Sequence, residues 1–305
     1  MVELHFIGLF NVVLALIFSP LLFGIINRVK AFFGGRQGQP LFQPYYDIRK
    51  LLYKGQVYSK TTSLIFVAGP IVSLASMIVI TLIFPFGGIK AFFAFPGDIL
   101  VFAYLFGLIR FLTVLAALDT GSAFEGMGAS REVTFSALAE LSLFVGLIAL
   151  IMKTNSYSLS QIYTGISAET WISSGVAFIL VAAAFFIVFL AENARIPVDD
   201  PNTHLELTMI HEVMVLDHSG VDFAFIQYAA SLKMWIIGNL IVGLFTSLGG
   251  SNISSVIIGI CGTILLAIAT GVIESIMGRL KLVRVPQLLV GALVLASLAA
   301  ILGGK

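Results

Sequence analysis

Between Ala191 and Gly220 the chain reads AENARIPVDDPNTHLELTMIHEVMVLDHSG, thirty residues holding six carboxylates and three histidines in a sequence otherwise rich in Leu, Ile, Val, Phe and Ala. Groups of this kind can exchange protons, hold a cation or meet a charged partner. His204, His211 and His218 follow one another at intervals of seven, two helical turns or about 10.5 Å, too far for neighbours to share one ion. The HExxH zinc pattern is absent as well, so proton exchange or docking is favoured over a metal site. Pro197 and Pro201 bracket an extended or turning piece, and Thr203 with Glu206 three residues later forms a capping box that predicts a helix to about Asp217. Glu206 therefore has a structural explanation beside a functional one. On that helix His204, Thr208 and His211 share one face. Glu212 falls among Leu205, Met209 and Leu216, where desolvation would favour a protonated carboxyl.

Other acids lie inside apolar runs. Glu140, in SALAELSLF, sits near the middle of such a run, and Arg110 is similarly deep in another. An ionisable side chain at that depth costs several kcal/mol unless it is paired, protonated or wetted, which makes both functional candidates. The alternative is a structural ion pair between them across adjacent helices. Asp119 and Glu125 in LDTGSAFEGMGASRE, then Glu132 and Glu192, continue the acids toward one membrane surface. Glu132 also suits the first turn of a helix capped by Ser130. Together with Glu206, Glu212 and Glu274 they form a line of proton-accepting groups running from that surface into the membrane.

The elements that must position these groups follow from composition. With 59% hydrophobic residues, 11% charged and a mean hydropathy of +1.05, the chain lacks the polar surface of a soluble domain. A bilayer-crossing helix needs roughly 20 mostly apolar residues. Eight such runs are present, at about 3–26, 62–84, 97–118, 131–152, 173–191, 225–248, 252–273 and 285–303, giving an all-α, polytopic integral membrane protein with residues 1–305 as a single membrane domain. The first run lacks a basic leader and a small-residue cleavage site, so it is expected to stay as a helix. Twelve of the seventeen Lys and Arg fall after runs 1, 3, 5 and 7, counting Arg131 at the first position of run 4. By the positive-inside rule both termini face out of the cell membrane and the two long loops, 34–60 and 192–223, face the cytoplasm. Cys261 is the only cysteine, so this chain builds no disulfide or iron–sulfur cluster, and any redox centre belongs to a partner. In the first loop Pro44 can start a short helix with Tyr45, Ile48 and Leu52 on one stripe and Asp47, Lys50 and Lys54 on another. It reads either as an interfacial anchor on lipid or as a docking platform.

Three motifs, GRxGxPxxQPYxDxxKLL in the first loop, LDTGSAFxGMGASREVTFSALAE, and Ala191 to Gly220, resemble one family. It is the membrane subunit shared by respiratory complex I, where it helps form the quinone cavity, and by energy-converting membrane-bound NiFe hydrogenases. Complex I members typically read AExxRxPFDxxExExELVxGxxxEYSG. Here Val198 replaces the Phe and the segment ends in Leu216-Asp217-His218-Ser219-Gly220, similar to the hydrogenase and sulfane-sulfur reductase branch and unfavourable to a quinone site. The resemblance implies eight spans and a coupling subunit without a catalytic centre or cofactor of its own, in a ferredoxin-oxidising, hydrogen-evolving, ion-translocating complex. Hydrogenase-like large and small subunits carrying the NiFe centre and iron–sulfur clusters would dock on the inside face, with ferredoxin reached indirectly, antiporter-like subunits alongside in the bilayer, and no nucleic acid involved. Arg36, Gln43, Pro44, Asp47, Arg195, His204 and His211 would serve docking. Glu140, Glu132, Glu192, Glu206, Glu212, Asp119 and Arg110 would form the proton path. The other readings are the same role in a sulfane-sulfur reductase, a quinone-site subunit, and a stand-alone cation transporter.

Overall fold

The computed structural model describes residues 2–199, 209–246 and 252–304. Eight helices in them are long and apolar enough to cross a membrane: α1 (Val2–Phe33), α3 (Leu64–Ile83), α4 (Asp98–Asp119), α5 (Ala123–Thr154), α7 (Ala168–Glu192), α8 (Gly220–Thr246), α9 (Asn252–Ile276) and α10 (Val285–Gly303). Two short helices join them, α2 (Gln43–Leu52) and α6 (Leu159–Gly165). Local chemistry sets several ends. Pro44 starts α2, where a missing N–H costs nothing. The Ser63 hydroxyl accepts the Ile65 N–H at the start of α3, and Ser167 with Thr170 forms a capping box before α7. Asn155, at φ 52°, ends α5 in the left-handed conformation that asparagine tolerates.

In the bilayer, helices associate through close packing of small side chains. Ala292, Ala296 and Ala299 of α10 are fully buried, and α10 packs on α5 and α7. Gly146 lets α5 approach α7 so closely that a Cβ there would lie 2.4 Å from the Phe185 ring. Helices α1, α8 and α9 form a second contact group, and α3 lies between α4 and α8. At one end of the bundle Asp98 is buried and accepts the Ser158 hydroxyl and the Leu159 N–H, both at 2.7 Å, which fastens α6. The charged loops gather at the opposite end.

Two expectations change. Hydropathy places the fourth span at 131–152, but α5 begins at Ala123. Its first turns carry Glu125 and Glu132, buried against protein, so hydropathy under-reads them. The helix expected from Thr203 to about Asp217 is not found in its described part. Residues 209–211 are irregular and only a 3-10 turn, Glu212–Val215, follows. The reason is competition: the Asp199 carboxylate takes the N–H groups of Ile210 (3.0 Å) and His211 (3.3 Å), and Arg131 donates to the Met209 carbonyl (2.8 Å). Tertiary partners thus occupy the groups that would have closed the helix. Residues 200–208, including Thr203, His204, Leu205 and Glu206, lie outside the described residues.

Candidate functional site: a cavity backed by a buried charge network

Where α1, α3, α4 and α8 diverge at the loop-bearing end, they enclose a cavity of about 410 Å³. Its apolar wall comes from residues such as Phe23, Met77 and Ile226. Pro44 and Asp47 of α2 form one rim, and Glu192, Arg195, His211, Glu212 and Lys233 supply the charge.

Arg110, midway along α4, is the hub behind the cavity. Its Nη2 lies 2.6 Å from Glu192 Oε1 at the end of α7, its Nε 3.4 Å from Glu132 Oε1 on α5, and its Nη1 meets Glu140 one helical stretch deeper. Glu192 is shared with Lys233 of α8 at 3.4 Å. Of the three carboxylates around the guanidinium, Glu192 and Glu132 accept charge-assisted hydrogen bonds and Glu140 is held by ion pairing, and the helices that carry them are thereby cross-linked. The Arg110–Glu140 pair expected as an alternative to a functional role is present, as one arm of this larger cluster.

The network continues to the loop surface through His211, whose Nε2 lies 3.2 Å from Glu132 Oε2 and whose Nδ1 faces Asp199 Oδ2 at 3.8 Å. Asp199 pairs in turn with Arg279 at 2.8 Å. Burial disfavours the protonated imidazole, but Glu132 and Asp199 outweigh it and set the His211 pKa above its ordinary value. Burial likewise opposes the Asp199 carboxylate, yet His211, Arg279 and the Ile210 N–H together hold its pKa below the usual range.

A second buried cluster closes another wall. Glu274 of α9, with no exposed side-chain surface, receives Lys30 at 2.8 Å and Arg195 at 3.3 Å. The Arg195 guanidinium also lies over the Phe23 ring at 4.7 Å. The LDHSG segment is fastened on both sides. The Asp217 N–H bonds Glu125 (3.1 Å), the Val57 N–H bonds Ser219 (3.2 Å), and Gln56 and Tyr58 hold the Asp222 carboxylate (2.8 and 2.9 Å). Gly220 has φ +56°, and a Cβ there would lie 2.6 Å from the Gly55 carbonyl oxygen, so only glycine fits this junction. His218 stacks on Phe66 with 3.9 Å between ring centroids, and burial pulls its pKa down to about 4.

The structure therefore brings Arg110, Glu132, Glu140, Glu192 and His211 into one network. Glu212 lines the cavity and is half-buried; of the neighbours expected to shelter it, Met209 is buried and Leu216 is 50% exposed. Arg195 pairs with Glu274. Asp119 stands apart, accepting the Ser63 N–H at 2.6 Å at the start of α3. Gln43 bonds Asp47 at 2.8 Å on α2, and Arg36 is exposed. Sequence reasoning misses Asp199, Lys233, Arg279 and Lys30. Lys233 carries a signal, since it is a cation inside an apolar run; the other three read as ordinary loop charges.

The profile of the NADH dehydrogenase family matches residues 6–303. Hydrogenase-4 component C of Escherichia coli K12 is 29% identical over 279 residues, covering 89% of this chain and 87% of the relative. Formate hydrogenlyase subunit 4 of the same organism is 28% identical over 278 residues, covering 88% and 89%. An NADH-quinone oxidoreductase subunit of Verminephrobacter eiseniae is 26% identical over 219 residues, covering 69% of this chain and 59% of the relative. A chain in the structure of the membrane-bound sulfane sulfur reductase, an archaeal respiratory membrane complex, shares the fold with a TM-score of 0.82 at 20% identity, covering 99% of both chains. These relatives are membrane subunits of multisubunit complexes. With eight apolar helices and a family profile spanning nearly its whole length, this multi-pass membrane protein belongs to the NADH dehydrogenase family.

Proposed function

We propose that the chain is the membrane anchor and energy-coupling subunit of a hydrogenase-type, ion-translocating complex. A ferredoxin-oxidising module, with its NiFe centre and iron–sulfur clusters on large and small subunits, docks from the cytoplasmic side on the first loop at Arg36, Gln43, Pro44 and Asp47, the last two of which line the cavity. Its changes of charge act on the cavity acids, and Arg110 with Glu140 passes them toward antiporter-like subunits in the plasma membrane. The observation that carries this reading is the unbroken line from the cavity wall at Glu192 and His211, through Glu132 and Arg110, to Glu140 inside the membrane. A charge altered at one end of such a line is felt at the other, because its members are largely withdrawn from solvent.

The test has two arms. Mild detergent purification through a tag on this chain should bring down the redox subunits with nickel and iron. Glu140→Gln should leave that assembly and its turnover with artificial acceptors near normal while ion movement into sealed vesicles falls; unchanged ion movement refutes the coupling role. A cavity this size also admits an aromatic head group, which supports a quinone-site reading; sensitivity to quinone-site inhibitors would favour it.

A further inference from the structure

By sequence position His211 belongs with the docking residues, yet its ring lies between the membrane network and the cavity. Nε2 addresses Glu132 at 3.2 Å, whereas Nδ1 is buried, has no hydrogen bond among the described residues and faces Asp199 at 3.8 Å. That gap exceeds a hydrogen bond, so one ring nitrogen is engaged toward the membrane and the other waits on the loop side. We propose that His211 is the proton-transfer residue joining the cavity to the Arg110 cluster, a role that rests on the coupling function above.

The step balances simply. A proton from the Asp199 side or from cavity water binds Nδ1 and gives imidazolium, and the Nε2 proton then leaves to Glu132 Oε2. The ring is left neutral with its hydrogen on Nδ1, and rotation about the side-chain bonds resets it. No electron or other reactant is required.

The charge count around the ring supports the same role. The groups facing it are Glu132 of α5, Asp199 of the segment after α7, Glu192 at the end of α7 and Lys233 of α8, with Arg110 one contact further, Arg279 behind Asp199, and Glu212 adjacent in the chain. Asp199 and Arg279 neutralise each other. Counting the ion-paired groups among the described residues, Arg110 and Lys233 oppose Glu132, Glu140 and Glu192, which leaves one excess negative charge in that set with His211 neutral and none with it protonated. In a poorly solvated site the two charge states of one imidazole thus decide whether the cluster is balanced. Losing the proton from His211 draws another to the carboxylates, which is what directed transfer needs. The surrounding carboxylates favour the protonated ring and raise the His211 pKa above its ordinary value, so the ring readily takes up a proton from the loop side.

The experiment uses the whole complex in sealed vesicles, with ions moved per electron as readout. His211→Gln should retain the redox subunits and their turnover with artificial acceptors while coupled proton transfer slows by about 100-fold or more. In His211→Ala, added imidazole, small enough for the cavity, should restore coupling. Nδ1-methylhistidine at position 211 keeps the aromatic ring and can face Glu132 with Nε2–H when that nitrogen is protonated, but cannot bind a proton on the loop side; it should uncouple as His211→Gln does. Full coupling in any of the three without imidazole, or loss of subunits with the methylated ring, overturns the proposal. Glu140→Gln measured alongside separates the outcomes: if it uncouples and His211→Gln does not, only the role of His211 falls.

Discussion

Acidification should loosen the LDHSG segment, and His218 should be the reason. The ring is 8% exposed, lies flat on Phe66, and its pKa drops from 6.5 to about 4 through burial. The segment opened to water binds a proton at the ordinary value, the packed segment only near 4. The packed state therefore holds its full stability above 6.5 and loses it as pH falls toward 4. The loss reaches about 3 kcal/mol near pH 4 and about 1 kcal/mol at pH 5.5, on the order of a tenfold change in the opening equilibrium. His218→Phe keeps an aromatic ring against Phe66 and removes the titration. Amide hydrogen exchange of a peptide covering 209–220, corrected for intrinsic rates, reads the opening directly. Between pH 7.5 and 5.5 the protection of wild type should fall about tenfold more than that of His218→Phe. Equal losses in the two proteins would show that His218 is solvated, and that the stacking against Phe66 does not control this segment.

Three further outcomes follow from the packing. Arg110→Gln leaves Glu132, Glu140 and Glu192 with Lys233 and His211 as the paired cations among the described residues and should cost about 3–5 kcal/mol in thermal or denaturant unfolding in detergent, with part of the loss recovered by adding Glu192→Gln. Gly128→Ala places a Cβ 2.3 Å from Val213 and 3.1 Å from the Ile210 carbonyl oxygen; it should destabilise by about 1–3 kcal/mol and impair coupling by moving His211, and Val213→Ala should relieve it. Asp98→Ala removes the acceptor for Ser158 and Leu159 and should lower stability by about 1–2 kcal/mol while leaving ions moved per electron unchanged, since it lies at the end of the bundle away from the cavity.

The membrane-crossing helices are legible because hydropathy over a span of about 20 residues is a strong signal, and Pro44 marks the start of α2. Arg110 and Glu140 are legible as charges where charges are costly. What escapes the sequence depends on tertiary partners. The start of α5 reads as a loop until Glu125 and Glu132 are seen buried against the LDHSG segment and His211. The capping box at Thr203 and Glu206 argues for a helix through Asp217, but local propensity has no term for an Asp199 carboxylate reaching across to take two of its N–H groups. Lys233 is overlooked for the opposite reason: a single lysine in an apolar run hardly alters hydropathy, although its position beside Glu192 alters the charge of the whole site.

The anchoring around His211 explains why a loop, and not a helix, carries it. Helical geometry would have fixed the ring by its own backbone alone, with Glu212 on a separate face. Here the backbone on the N-terminal side is tied through Asp199 to Arg279 and through Arg195 to Glu274. On the C-terminal side Asp217 is tied to Glu125, and Asp222 to Gln56 and Tyr58. These ties reach α9, α5 and the first loop, so the ring's position between Glu132 and the cavity is set by elements that meet only in the folded chain. The first loop is also the proposed docking surface. A displacement of that loop by a docked module would act on Asp222 and Ser219 through their bonds to Gln56, Tyr58 and Val57, and so on the segment that begins at His211, giving docking and proton transfer a shared mechanical part.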